Sequence, residues 1–255
     1  DYLVINGTTA ESPTIKLSER ELIIKTVVSV NKGRVPLVLG IGGNDTLKLV
    51  KEINSSNLED ISAILSVSPY YNKPTQEGIY EHYKYISNNT SVPIIIYNVP
   101  GRTAKNILPE TVLRLAKEFD SIIGIKEAGN DINQYLELIN NKPEDFLIIS
   151  GDDDLALSSV IAGGDGVISV IGQAFPEKFS KMINYALDNN PLSATSIHEQ
   201  LINITSLIFR ENNPAGVKSV LHEMNLCNDV LRLPLLPVSK NLRSEILVEL
   251  NNLKL

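Results

Sequence analysis

The chain has 255 residues, 43% of them hydrophobic, enough to bury a full core and to build one large α/β domain. Acidic residues outnumber basic ones by 30 to 23, a formal charge of −7, and no Lys/Arg cluster is dense enough to track a phosphate backbone, so nucleic acid is excluded as the expected partner. The single cysteine, Cys227, cannot form an internal disulfide and reads as a structural thiol; no apolar stretch approaches the roughly 20 residues that cross a bilayer and no signal-peptide pattern is visible, so the expected setting is a reducing cytoplasm.

Apolar runs and their punctuation predict strands near 2–6, 36–41, 63–68, 93–98, 121–126, 146–150 and 166–170. Helices are predicted between them at 18–30, 45–54, 75–88, 109–118, 131–141 and 153–162. Ser18 before Glu21, Asp45 before Lys48 and Thr75 before Gly78 signal helix starts, and Pro109 stands at a first-turn position. Strict β/α alternation implies parallel strands with right-handed crossovers. Seven strands are one fewer than a closed (β/α)8 TIM-type barrel requires, and the sequence begins directly on a strand, so the first β/α unit is expected to be absent from this chain. Beyond residue 176 the pattern is helical, near 176–189, 194–211, 214–224 and 240–253. The expected division is a barrel over 1–175, followed over 176–255 by its last helix and a C-terminal helical region.

In such a fold the strand C-termini and the loops after them build the active site. Lys126 ends the buried run Ser121-Ile-Ile-Gly-Ile-Lys-Glu-Ala128, where an ammonium loses hydration and the neutral, nucleophilic amine is favoured. The preceding strand ends on Tyr97, whose phenol can move protons at the same mouth. Taken alone, Lys126 could snorkel to solvent and Tyr97 could simply pack; on neighbouring strand ends they point to chemistry. After the first strand, Gly7-Thr-Thr-Ala-Glu-Ser12 is either an anion nest made by Thr8, Thr9 and their backbone N–H groups, or an ordinary capping pair. Tyr70 and Tyr71 follow the third strand in a turn, as interface or core residues by default. Arg102, in the Val99-Pro-Gly-Arg-Thr103 loop, suits bidentate carboxylate binding if the turn aims it into the mouth, and is otherwise a surface arginine. Gly151, and the Gly166-Val-Ile-Ser-Val170 strand end, permit close backbone approach to a ligand. His82, His198 and His222 all fall in helical stretches without ligand spacing, so no metal is expected. Gly40-Ile-Gly-Gly43 lacks the context of a dinucleotide fingerprint.

Together these segments resemble the pyruvate-dependent class I aldolases of the N-acetylneuraminate lyase superfamily, and within it the dihydrodipicolinate synthase family. The resemblance runs from Tyr2 to about Leu236. It rests on Gly-Thr-Thr-Ala-Glu-Ser, Pro-Tyr-Tyr-Asn-Lys-Pro-Thr-Gln-Glu-Gly, Tyr-Asn-Val-Pro-Gly-Arg-Thr, Gly-Ile-Lys-Glu-Ala, Ser-Gly-Asp-Asp and Gly-Val-Ile-Ser-Val, in that order. It implies a lyase that condenses pyruvate with L-aspartate 4-semialdehyde to 4-hydroxy-tetrahydrodipicolinate, in lysine and diaminopimelate biosynthesis. Lys126 would form the Schiff base with pyruvate, with no other cofactor, and Tyr97, Thr8 and Tyr71 would relay protons, the tyrosine at position 71 coming from a neighbouring subunit. Thr9 would hold the pyruvate carboxylate and Arg102 that of the semialdehyde, with the Ile168 carbonyl and the Gly151 backbone contacting the reacting species. The implied assembly is a homotetramer, a dimer of dimers.

The family also binds lysine as an allosteric effector, at residues matching Ser12, Asn44, Lys48 and Tyr70. Its acidic member is Lys48 in this chain, so that site is expected to be impaired. Lys126-Glu-Ala-Gly-Asn130 is one residue shorter than the family's usual turn. A sister aldolase acting on a sugar acid, or a catalytically silent barrel with an assembly or regulatory role, are the alternatives.

Overall fold

Strands form where β-branched residues run unbroken, as in Ile94-Ile-Ile-Tyr-Asn98, every residue of which is buried. The computed structural model describes residues 1–253. In chain order these form β1 (Leu3–Ile5), α1 (Leu17–Asn31), β2 (Leu37–Gly40), α2 (Thr46–Ser55), β3 (Ala63–Val67), α3 (Gln76–Asn89), β4 (Ile94–Asn98), α4 (Pro100–Thr103) and α5 (Pro109–Glu118). Then come β5 (Ile122–Glu127), α6 (Ile132–Asn141), β6 (Leu147–Ser150), α7 (Ala156–Ile161), β7 (Gly166–Val167), α8 (Pro176–Leu187), α9 (Pro191–Phe209), α10 (Ala215–Glu223) and α11 (Lys240–Asn252). The seven strands pair in sequence order, each parallel to the next.

Side chains alternate between two cores. Leu37, Leu39, Ile64, Ile94, Ile96, Ile125 and Ile148 pack outward with helix residues such as Leu49, Ile79, Tyr83, Val112 and Leu138. The alternate set, Val38, Ala63, Leu65, Ile95, Tyr97 and Ile149, packs with residues from strands and the segments at their ends, and among the described residues no helix contributes to it. A sheet face with no helix over it, yet dry, has curled so that its own strands cover it. The third core lies among α7 to α11, where Leu157, Phe179, Met182, Leu201, Ile204, Val220 and Ile246 meet.

Three of the four helix starts predicted from sequence are present: Asp45 accepts from the Lys48 N–H at 3.0 Å, Thr75 from that of Gly78 at 3.2 Å, and Pro109 opens α5. The fourth is corrected. Lys16 rather than Ser18 precedes α1, and the Glu19 carboxylate accepts from the Lys16 N–H at 2.9 Å, closing the first turn one position ahead of the predicted start. Helix α9 begins at Pro191 rather than 194 because Asn190 caps it, its Oδ1 accepting from the Ser193 N–H at 3.3 Å. The last strand ends at Val167 rather than 170 because the Asp153 carboxylate takes the N–H groups of Val170, at 2.9 Å, and Ile171, at 2.8 Å, drawing the chain off the ladder. The same turn delays α7 to Ala156, since Asp152 Oδ1 accepts from the N–H groups of Asp154 and Leu155. Cys227 lies exposed after α10 rather than in a core.

One buried group makes the fold pH-sensitive. His82 on α3 is bonded through Nδ1 to the Thr46 hydroxyl at 2.8 Å, while its Nε2 is buried without a partner. Burial pulls its pKa down to about 4. The unfolded chain therefore binds a proton that the folded chain refuses as pH falls from about 6.5 toward 4, so stability is full above that window and lost through it. Urea unfolding between pH 7 and pH 4 should show a loss of up to about 3 kcal/mol from this residue. His82→Gln should flatten that dependence, and an unchanged profile in the variant would assign the acid sensitivity elsewhere.

Candidate active site

The register of β4 on β5 sets Tyr97 beside Lys126 on the inner face, with Ile149 of β6 on the other side. The Lys126 Nζ lies 4.4 Å from the centroid of the Tyr97 ring. Lys126 is only 8% exposed, and among the described residues no salt bridge neutralises it. The Asp153 carboxylate feels its charge. Burial pushes that carboxyl up, against the lowering effect of the Ile171 N–H, the Ser169 hydroxyl, the Val170 N–H and, last, Lys126.

Room for the lysine stem comes from Gly151. A Cβ there would sit 2.6 Å from Lys126 Cε, 2.9 Å from its Cγ and 2.9 Å from Ala128 Cβ. The glycine that sequence reading assigned to ligand approach thus also lies against the aliphatic part of Lys126.

The next residue along β5 points the other way. Glu127 is fully buried under α6, and its carboxylate accepts from Asn98 Nδ2 at 2.8 Å, Gln134 Nε2 at 2.7 Å and the Gly129 N–H at 2.6 Å. Asn98 Oδ1 takes the Ile107 N–H at 3.1 Å, and Asn106 links Asn98 to Gln134. Burial raises the Glu127 pKa, opposed by these donors. Sequence reading missed this network and Asp153. For Asn98 and Glu127 the signal available was a polar residue closing an otherwise apolar strand, the same anomaly that marks Lys126; Asp153, in a turn, offered none.

Thr8 and Thr9 form a turn of 3-10 helix, Thr8–Ala10, directly after β1. Thr8 Oγ1 is 3.5 Å from the Tyr97 hydroxyl, so these two join Lys126 at one mouth. Thr9 Oγ1 accepts from Asn213 Nδ2 at 3.1 Å. Arg102 sits exposed on α4 and donates from Nη2 to the Asn213 carbonyl at 3.3 Å. Ile168 is half-buried against the inner core, its N–H donating to the Ser150 carbonyl at 2.8 Å. Tyr71 stands apart: it is 90% exposed, in the left-handed region at φ 73°, with no hydrogen bond from its phenol among the described residues. Of the remaining four, Asn44 Nδ2 donates to the Tyr70 carbonyl at 3.0 Å, Lys48 lies exposed on the first turn of α2, and Ser12 belongs to a separate 3-10 turn, Ser12–Thr14. Among the described residues no three His, Cys, Asp or Glu side chains are grouped to hold a metal ion.

A buried strand-end lysine beside a tyrosine, in a curled parallel sheet, sets an amine and a phenol together in an α/β fold. The chain belongs to the dihydrodipicolinate synthetase family, whose model matches residues 1–253. It is 52% identical over 246 residues to the 4-hydroxy-tetrahydrodipicolinate synthase of Flavobacterium psychrophilum, spanning 96% of this chain and 84% of that protein. A monomeric dihydrodipicolinate synthase variant superposes with a TM-score of 0.97 at 38% identity, over 100% of this chain and 86% of the other. The chloride-inhibited dihydrodipicolinate synthase of Acinetobacter baumannii, solved with pyruvate, gives 0.96 at 35% identity, over 100% and 87%.

Gly151→Ala should displace the Lys126 stem, lowering stability by about 1–3 kcal/mol through overpacking. It should also slow the reaction of Lys126 with a carbonyl compound, read by borohydride reduction and peptide mass. Unchanged stability and rate would show that the stem moves freely.

Proposed function

We propose that this enzyme condenses pyruvate with L-aspartate 4-semialdehyde to give 4-hydroxy-tetrahydrodipicolinate, through a Schiff base on Lys126 and with no other cofactor. The observation that carries this reading is the buried Lys126 side chain, which no carboxylate pairs among the described residues, against the Tyr97 ring. The names of the similar enzymes and the pyruvate held by the Acinetobacter baumannii protein support the substrates. The seven strands and their helices are read as units of a (β/α)8-type barrel, with the helices beyond residue 176 as a C-terminal region.

The Lys126 amine attacks the pyruvate C2 carbonyl, and loss of water leaves an iminium. The cationic nitrogen draws electrons from C3, so a C3 proton leaves and an enamine forms. Its C3 attacks the aldehyde carbon of the second substrate, making the new C–C bond, and that substrate's own amine then displaces Lys126 at C2 to close the ring. Tyr97, with Thr8 at 3.5 Å, is read as the start of the path by which protons come and go. The exposure of Tyr71 suits a phenol offered to a second copy of the chain, and the assembly is read as a homotetramer, a dimer of dimers. Thr9 and Arg102 are read as partners of the two substrates' carboxylates, and the Ile168 carbonyl and Gly151 backbone as contacts at the reacting atoms. Lys48 would set like charge against the ammonium of a lysine effector, at a cost of about 1 kcal/mol even in water. A cytoplasmic setting fits a chain with no helix, among the described residues, long and apolar enough to cross a membrane.

Pyruvate with borohydride should leave one reduced adduct, mapping to Lys126 and absent from Lys126→Arg, whose guanidinium stays protonated. Labelling of another lysine in that variant would overturn the assignment. Tyr97→Phe should lower kcat by about 100-fold while pyruvate binding holds, because only the proton path is lost. Arg102→Ala should instead raise KM for the semialdehyde more than for pyruvate, and equal losses would make Arg102 a loop-ordering residue.

A further inference from the structure

We infer that Asn213 is a positioning residue for this reaction: a bracket from the C-terminal helical region that holds Thr9 and Arg102 on either side of itself. The inference rests on the reading of those two residues as carboxylate partners. Asn213 lies in the connection between α9 and α10, 204 residues from Thr9 and 111 from Arg102 in sequence, and only 8% of it is exposed. Its side-chain amide donates to Thr9 Oγ1 at 3.1 Å, and its main-chain carbonyl accepts from Arg102 Nη2 at 3.3 Å. Two groups that belong to different strand ends are therefore spaced by a single residue.

The chemistry of each contact leaves the gripped group ready for an anion. A threonine hydroxyl has one proton and two lone pairs. When Asn213 Nδ2–H fills one of the lone pairs, the Thr9 proton is free to be donated to a carboxylate. The Asn213 carbonyl takes one of the five guanidinium N–H donors of Arg102 and leaves four, so a fork remains for a second carboxylate. Asn213 Oδ1 is buried with no hydrogen-bond partner among the described residues, so the amide's fixed contact is the one to Thr9.

The corner that bears Asn213 is itself anchored to the threonine turn. Lys218 Nζ on α10 pairs with the Glu11 carboxylate at 2.6 Å, and the Arg232 N–H donates to the same carboxylate at 3.0 Å. Burial pushes the Glu11 carboxyl up, but these donors outweigh it and hold it below its ordinary range. Arg232 in turn forks onto Glu19, with both distances 2.7 Å. The bracket is thus seated on the loop whose side chain it holds.

The test is a KM-against-kcat comparison and a double-variant cycle on the full chain. Asn213→Ala removes the side-chain arm and keeps the main-chain carbonyl, so KM for pyruvate should rise about tenfold, the worth of one positioning hydrogen bond, with a smaller change for the semialdehyde. Asn213→Asp keeps the shape and cannot donate, so it should be impaired at least as much; being isosteric, it serves if the alanine variant fails to fold. Combined with Thr9→Val, either change should add nothing further, because Asn213 acts through Thr9. Ordinary pyruvate KM in Asn213→Asp, or additive losses in the double variant, would overturn the bracket. A Thr9→Val enzyme with unaltered pyruvate KM would overturn the reading of Thr9 beneath it, an outcome the single variant separates from the first.

Discussion

The pairing of β4 with β5 puts a phenol ring and a lysine side chain side by side on a sheet face that no helix covers among the described residues, and the rest of the site is arranged around that register. A shift of one residue would send Lys126 into the helix layer and bring Glu127 to the mouth, exchanging an amine for a carboxylate. The register is held from behind. Glu127 is locked by Asn98 from β4, Gln134 from α6 and the Gly129 N–H, so the strand end that carries Lys126 is fixed by hydrogen bonds on its opposite face. A buried carboxylate with several donors is costly to strip of any one partner. That cost ties the two strand ends together.

The polar groups around the mouth divide into those that face it and those that shape the backbone beneath it. Tyr97, Lys126 and Thr8 face it. Asp153 shapes it: by taking the N–H groups of Val170 and Ile171 it ends β7 early, and the backbone leaves the sheet after Val167, which lies in register with Glu127 through Ser150. The Gly151 N–H donates to the Glu127 carbonyl at 2.6 Å, which holds the glycine against the lysine stem. Side-chain chemistry and backbone path are therefore set by the same few carboxylates.

Much of this was readable before any coordinates. All seven strands and the long helices overlap the spans that apolar period predicts, with ends displaced at α1, α7, α9 and β7, because helix and strand patterns differ in period and strand-end anomalies stand out. Lys126 and Tyr97 were found by that anomaly. Asn98 and Glu127 carry the same signal, masked by their neighbours' stronger claim to chemistry. Asp153 was not readable, since its partners are backbone N–H groups 17 and 18 residues on. Asn213 was less so: an asparagine before a proline reads as a turn, and nothing in the local sequence points to a threonine 204 residues away.

That separation bears on how the protein is made. Chains emerge from the ribosome N-terminus first and fold as they lengthen. Thr8 and Thr9 are made before Lys126, and Asn213, Lys218 and Arg232 well after it. The sheet and its lysine can therefore be assembled while the threonine turn still lacks every tie to the C-terminal helices. A nascent chain at that stage has Lys126 set beside Tyr97 but its threonine turn unfastened, and the ties that fasten it arrive only with the segment from Asn213 to Arg232.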